Sequence, residues 1–175
     1  LGFNRGRLGF LTDIAPQHLA ENLTQIFIDN SYKVEKRHFL ELRSAVDQRM
    51  IALNDMVITH ESQKRMIEYT ISSGSNFICH QRGDGVIFST PTGSTAYSLS
   101  ASGPIVTPEL PVNLIVPMFS HTLSMRPLVI SNTEELDIFC YSSSDENLRI
   151  IADGQDLLMA GSPNHIKIKT LENKI

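Results

Sequence analysis

The chain reads as a mainly β protein, a multi-stranded sandwich-like or barrel-like unit with two short helices. Three observations predict this. Short apolar segments, several alternating with polar residues at period two, recur from Leu40 to Lys169. Turn-forming residues separate them at short intervals. Helical spacing is confined to two stretches, residues 16–32 and 94–101. A hydrophobic share of 41% over 175 residues is that of an ordinary globular domain, which builds a core without disulfide or metal staples.

Taken in order, the three glycines of residues 1–10 mark a loop leading into a short strand. Pro16 suits a first helical turn, and Leu19, Leu23, Ile26 and Phe27 share a face, which predicts a helix over Pro16 to Tyr32 ended by Asn30 and Ser31. Leu40 and Leu42 alternate with Glu41 and Arg43, and Val46-Asp47-Gln48 turns the chain back through Met50 to Leu53. Ile67, Tyr69 and Ile71 alternate with Glu68 and Thr70, Gly74-Ser75-Asn76 forms a turn, and Phe77 to Arg82 returns. Further short β segments are predicted at 86–88, 114–116, 128–130, 136–141, 148–152 and 165–169. Ser94 to Ala101 is the second helix.

Composition excludes several classes. A net charge of −4 disfavours a nucleic-acid partner, which would meet a basic face. Pro111, Pro117 and Pro127 break the longest apolar runs, so no membrane partner is expected. Cys79 and Cys140 sit in apolar runs and read as buried, reduced thiols suited to the cytoplasm. Phosphate-loop, zinc-protease and nucleophile-elbow signatures are missing. The chain opens at Leu1 as if within a structured segment, and a piece of a longer protein is expected.

Chemistry concentrates between Arg82 and Gly103, where Gly, Ser and Thr become dense and charge nearly vanishes after Asp84. Ser89-Thr90-Pro91-Thr92-Gly93-Ser94-Thr95-Ala96-Tyr97 follows an apolar strand and precedes the predicted short helix. Amides at that helix start, with neighbouring hydroxyls, suit a phosphate or polar ligand. Gly93 permits either close approach of backbone to a ligand or a positive φ. Tyr97 offers an aromatic face with a polar tip. The structural alternative is a tight turn capped by Ser94 or Thr95, with Tyr97 in the core.

The string DGVIFSTPTGSTAYSLSASGPIV resembles the characteristic motif of bacterial NAD kinases. Five other blocks agree in order and spacing: FNRGRLGFLTD at Phe3 to Asp13, LNDMVI at Leu53 to Ile58, RGDG at Arg82 to Gly85, His121-Thr122-Leu123 with Arg126-Pro127, and Asp153-Gly154-Gln155. The resemblance implies the β-rich C-terminal domain of a two-domain α/β plus β kinase, with residues 1–13 at the domain junction and 14–175 binding NAD. It further implies transfer of the ATP γ-phosphoryl group to the adenosine-ribose 2′-hydroxyl of NAD. The family's catalytic Asp belongs to an upstream GGDG motif, which this chain does not contain, so no catalytic residue is assigned.

As implied by the resemblance, Asn54 and Asp55 face the nucleotide sugar and adenine, and Thr95, Ala96, Tyr97, Ser98, Leu99 and Ser100 line the dinucleotide site. Arg82 and Asp84 reach a neighbouring subunit's site, which implies a homodimer or homotetramer. Gln155 is a polar contact, and Arg65 aligns at a weaker position. NAD and ATP are the expected partners, with a divalent cation, Mg²⁺, carried by ATP. Read from the residues alone, Asn54-Asp55 is more readily a turn between two strands, Arg82 with Asp84 a surface ion pair, and Asp153-Gly154 a hairpin turn beside strand residue Gln155. A non-catalytic NAD sensor and a related lipid or sphingoid kinase are the competing functions. Three departures stand out: Ser102 where the family has glycine, Ser120 where proline is frequent, and a short Arg43 to Leu53 hairpin.

Overall fold

The computed structural model describes residues 16–45, 47–62, 65–120, 125–141, 148–158 and 165–171. The Phe3–Asp13 block, the residue 13/14 boundary and the His121–Leu123 block lie outside them. The chain divides into two compact units, Leu1–Lys36 and Arg37–Ile175.

In the first unit a 3₁₀ turn, Pro16–His18, runs into helix α1, Leu19–Phe27. The helix stops short of the predicted Tyr32. Ile28 and Asp29 N–H groups share the Thr24 carbonyl, and Asn30 adopts φ 50°, where the chain leaves the helix. The side chains of Asn22 and Thr24 donate to carbonyls four residues back, at His18 and Ala20.

The second unit is built on two antiparallel six-stranded sheets among the described residues. Its strands are β1 (Phe39–Ser44), β2 (Arg49–Ala52), β3 (Asp55–His60), β4 (Ile67–Ser73), β5 (Asn76–Gly83), β6 (Gly85–Ser89), β7 (Val112–Met118), β8 (Leu128–Ser131), β9 (Leu136–Tyr141), β10 (Leu148–Ala152), β11 (Gln155–Leu158) and β12 (His165–Leu171). One sheet has the order β2-β1-β12-β9-β4-β5, the other β11-β10-β3-β6-β7-β8. The mainly β architecture therefore matches the sequence reading. The short hairpin closes without difficulty: β1 and β2 pair from Leu40↔Ala52 to Arg43↔Arg49.

Period two explains how the core forms. Leu40, Leu42, Tyr69, Ile71, Ile138 and Ile166 of the first sheet meet Met56, Ile58, Val86, Phe88, Ile115 and Ile150 of the second. Cys79 and Cys140 lie in this core as free thiols, pushed by burial up to about 11 and about 12. The second sheet is also covered on its other face. There Val57, Ile87, Leu114 and Val116 form a smaller cluster, joined by Ala101 and Val106 from the segment after β6. Burial on both faces is why residues 86–88 read as a continuous apolar run instead of alternating. The same packing draws the polar segment back over the sheet.

Glu41 breaks the pattern as a carboxylate with no exposed surface, on the first sheet. Burial would raise its pKa, but the Arg43 and Arg49 guanidiniums outweigh that and hold it lowered. Lys169 stands 3.5 Å away from the same carboxylate. Three cations from β1, β2 and β12 thus compensate one buried charge.

Candidate functional site

The polar segment leaves β6 and is tied at once to the bend before β3. Thr90 N–H donates to the Asn54 carbonyl at 2.9 Å, and Thr90 Oγ1 donates to the Leu53 carbonyl at 2.7 Å. Ser89 Oγ lies 3.3 Å from the Asn54 carbonyl and donates to Thr90 O at 2.9 Å. Gly93 lies so near Asn54 that an added Cβ would fall 2.1 Å from its carbonyl oxygen. Of the two predicted reasons for this glycine, close approach applies, but the approaching group is Asn54 backbone and not a ligand.

The predicted helix over Ser94 to Ala101 is divided. A 3₁₀ turn, Thr92–Thr95, is followed by Ala96 at φ −93°, ψ −131°, and then by a single turn of helix α2, Tyr97–Ser100. Neither piece has a side-chain cap. The Tyr97 backbone N–H, at the start of α2, faces the Asp55 carboxyl and pulls its pKa down against burial. Three hydroxyls of the segment are also internal. Ser89, Thr90 and Ser94 have no exposed surface. Ser94 Oγ donates to Pro91 O at 2.7 Å and accepts the Val106 N–H at 3.1 Å.

What remains outward is smaller. Tyr97 is 46% exposed and Leu99 43%, so Tyr97 is not a core residue. Ser100 is exposed, and Thr92, Thr95 and Ala96 are half-buried. Ser98, also expected in the lining, differs from its neighbours. It is fully buried, its hydroxyl lacks a hydrogen-bond partner, and it packs where a Cβ on Gly103 would collide with it. Arg37 Nη1 reaches Thr92 Oγ1 at 3.4 Å and brings a guanidinium to the segment's edge.

Asp55 is the most perturbed group here. It is 5% exposed, and its pKa is raised to about 6, chiefly by burial and further by the Asp153 charge, against the opposing pull of the Tyr97 N–H. Asn54 is half-buried beside it. The bend of residues 53–54 is indeed a turn, as the residues alone suggest, and it also carries this buried carboxylate. Asp153-Gly154 is the predicted hairpin turn, with φ 48° and 75°, and it leaves Gln155 exposed at the start of β11.

The structure separates the predicted residues into two groups. Asn54, Asp55, residues 95–100 and Gln155 gather at one end of the second sheet, because Asp55 pairs with Ser89 and Ala152 with Met56. Asp84 stands at the opposite end, where Thr59 pairs with Gly85, Arg65 follows β3 beyond that end, and Arg82 lies near the end of β5 on the first sheet, paired with Glu68. The length of β6 puts about 17 Å between Asp84 and the Ser89 end at roughly 3.3 Å per residue. No ion pair joins Arg82 to Asp84 among the described residues; both are exposed. Thr59 Oγ1 donates instead to the Asp84 carbonyl at 2.7 Å.

Sequence reasoning missed Arg37, the knitting role of Thr90, and Asp153 as more than a turn residue. Only the last had a signal, since an aspartate beside a tight turn is a candidate for capping nearby amides. Ser102 settles one departure. It adopts φ 65°, so serine occupies a left-handed position. Ser102→Gly is expected to raise stability by about 0.5–1 kcal/mol, read as a higher urea midpoint at unchanged m-value. A lower midpoint would contradict the strain.

Two antiparallel sheets with a hydroxyl-rich segment clasped at one end define a mainly β domain whose polar end holds a buried carboxylate next to an exposed tyrosine. Residues 53–175 match the family described as ATP-NAD kinase C-terminal domain, and the chain belongs to that family. It is 40% identical over 179 aligned residues to the NAD kinase of Legionella pneumophila (strain Corby), covering 100% of this chain and 60% of that protein. It is 45% identical over 160 residues to the NAD kinase of Azotobacter vinelandii, covering 89% of this chain and 54% of that one. The chain thus spans about 60% of the length of the first relative. Among solved structures it is similar to yeast NADH kinase complexed with NADH, with TM-score 0.85 and 27% identity over 99% of this chain and 51% of that one. It is also similar to an NAD kinase from Archaeoglobus fulgidus in complex with ATP, with TM-score 0.81 and 25% identity over 98% and 64% of the two chains.

Proposed function

We propose that this chain is the dinucleotide-binding part of an NAD kinase, which moves the γ-phosphoryl group of ATP onto the 2′-hydroxyl of the adenosine ribose of NAD and forms NADP. The observation that carries the reading is the convergence of Asn54, Asp55 and the segment of Tyr97 at one end of the second sheet, where Asp55 pairs with Ser89 and Thr90 bonds to the Asn54 and Leu53 carbonyls. An amide and a carboxylate side by side can recognise ribose hydroxyls and ring nitrogens. An exposed tyrosine beside them offers a face to a planar ring.

The roles follow from position. Asn54, Asp55 and the outward groups of residues 95–100 hold the adenosine half, and Gln155 adds a polar contact from the hairpin. Arg65, Arg82 and Asp84, at the far end, act on the site of a neighbouring subunit in a homodimer or homotetramer. The base that takes the 2′-hydroxyl proton belongs to the family's GGDG segment and to none of the residues of this chain. Phosphoryl transfer relies on positioning and charge neutralisation, usually with Mg²⁺. The divalent cation is assigned to ATP, which would carry it into the site. Among the described residues no helix is long and apolar enough to cross a membrane. Two buried free thiols suit a reducing cytoplasm.

The deciding assay is NADP formation from ATP and NAD by the full-length protein. NAD binding without turnover would favour a sensor, and phosphorylation of a sphingoid base in preference to NAD would favour a lipid kinase. Tyr97→Ala is expected to weaken NAD binding about tenfold, the loss of one stacked ring. Since Tyr97 is 46% exposed, stability should stay within about 0.5 kcal/mol. Unchanged affinity by calorimetry would refute the placement of the dinucleotide.

A further inference from the structure

Two turns nearly a hundred residues apart in sequence close on each other at the polar end of the second sheet. One is the bend at residues 53–54 that leads into β3. The other is the Asp153-Gly154 turn between β10 and β11. Asp153 Oδ2 accepts the Leu53 N–H at 2.7 Å, while Oδ1 accepts the Asn54 N–H at 2.7 Å and the Asp55 N–H at 3.1 Å. The Asp153 N–H donates back to the Asp55 carbonyl at 3.0 Å. Three successive amides around one carboxylate form the concave array that selects an anion.

The hairpin alone does not demand this residue. Its left-handed φ values of 48° and 75° suit Asn-Gly as well as Asp-Gly. The amides do demand it. An asparagine has one acceptor oxygen, and its NH₂ end would face an N–H donor, leaving Leu53 or the Asn54–Asp55 pair unsatisfied.

We propose that Asp153 is a positioning residue, whose carboxylate holds the Leu53–Asp55 backbone in the shape that presents Asn54 and Asp55 to the adenosine half of a dinucleotide. This rests on the binding role proposed above for Asn54 and Asp55. The same carboxylate is the charge that, after burial, raises the Asp55 carboxyl. Asp153 therefore sets both where Asp55 sits and how readily it ionises.

The test uses the full-length protein and its Asp153→Asn variant, which keeps the turn preference and loses the second acceptor. KM for NAD is expected to rise tenfold or more while kcat changes less than threefold. In the ligand-free protein, the Asp55 carboxyl followed by ¹³C NMR should titrate at lower pH than in wild type, and the Leu53–Asp55 amides should exchange faster. A folded variant with wild-type KM, wild-type Asp55 titration and wild-type amide exchange overturns the proposal. So does a lowered thermal midpoint with all three unchanged, which would mark a purely structural residue. If the variant does not fold, wild-type protein suffices: the three amide resonances must follow the Asp153 carboxyl through its titration, and their independence overturns the idea. The binding reading fails separately, when Asp55→Asn and Tyr97→Ala both keep wild-type KM for NAD. The ligand-free measurements still judge Asp153 in that event.

Discussion

Gly93→Ala is expected to destabilise the β-rich unit by about 3 kcal/mol or more and to abolish measurable NAD binding. The added methyl would lie 2.1 Å from the Asn54 oxygen, 2.4 Å from its carbonyl carbon and 2.7 Å from its Cα. All three are backbone atoms, so no rotamer change relieves the clash. Overpacking of this kind costs about 1–3 kcal/mol where side chains can shift, and more where they cannot. The only relief is to push the residue 53–54 bend away, which breaks the bonds from Thr90 to Asn54 and Leu53. It also moves Asn54 and Asp55 off Tyr97. Urea denaturation and calorimetry with NAD check the two effects. Gly74→Ala is the control: a Cβ there meets nothing within 4 Å, although φ +55° makes it mildly unfavourable. Equal costs at the two glycines would sink the close-approach argument.

Asp55→Asn is expected to act in opposite directions on stability and on binding. Burial raises the Asp55 carboxyl from 3.8 to about 6, with the Asp153 charge adding to it and the Tyr97 N–H opposing it. The folded protein therefore holds this proton more tightly than the unfolded chain does. The favourable contribution is complete below about pH 3.8, shrinks as pH rises, and is gone above about pH 6, where the buried carboxylate is ionised. By linkage, ionisation in the fold costs roughly 2–3 kcal/mol. An asparagine keeps the shape and one acceptor oxygen without that charge. The variant should match wild type near pH 4 and exceed it by about 2 kcal/mol near pH 7.5. Its affinity for NAD should fall at least tenfold, because a charged acceptor for ribose hydroxyls is lost. A stability difference independent of pH, or of the opposite sign, would show that Asp55 is not the buried, ionised group described here.

These two residues also show how far the sequence is legible. Gly93 and Asp55 both stand in motifs that mark them for attention, and the resemblance places Asp55 at the site. The physical reason for each was not legible. The glycine is required by Asn54, 39 positions earlier, and the carboxylate is perturbed by burial and by Asp153, 98 positions later. Ser94 and Thr90 illustrate the same limit, since a hydroxyl that serves a ligand and one that serves Val106 or Leu53 are spelled identically. That Ser98 is buried was not legible either, because a single helical turn after Ala96 points it at Gly103.

The sequence by itself determined the mainly β character, most strand positions, the segment dense in Gly, Ser and Thr, and the family. All of these reside in patterns of one to a few residues: alternation along a strand, turn residues between strands, and contiguous motif blocks. Tertiary structure alone decided which hydroxyls face inward, that Asp153 clasps the Asn54 bend, and that Asp84 stands about a strand's length from the Ser89 end of β6. Those outcomes depend on strand order and register between segments distant along the chain, and a period-two pattern specifies which face a residue takes without naming the strand beside it.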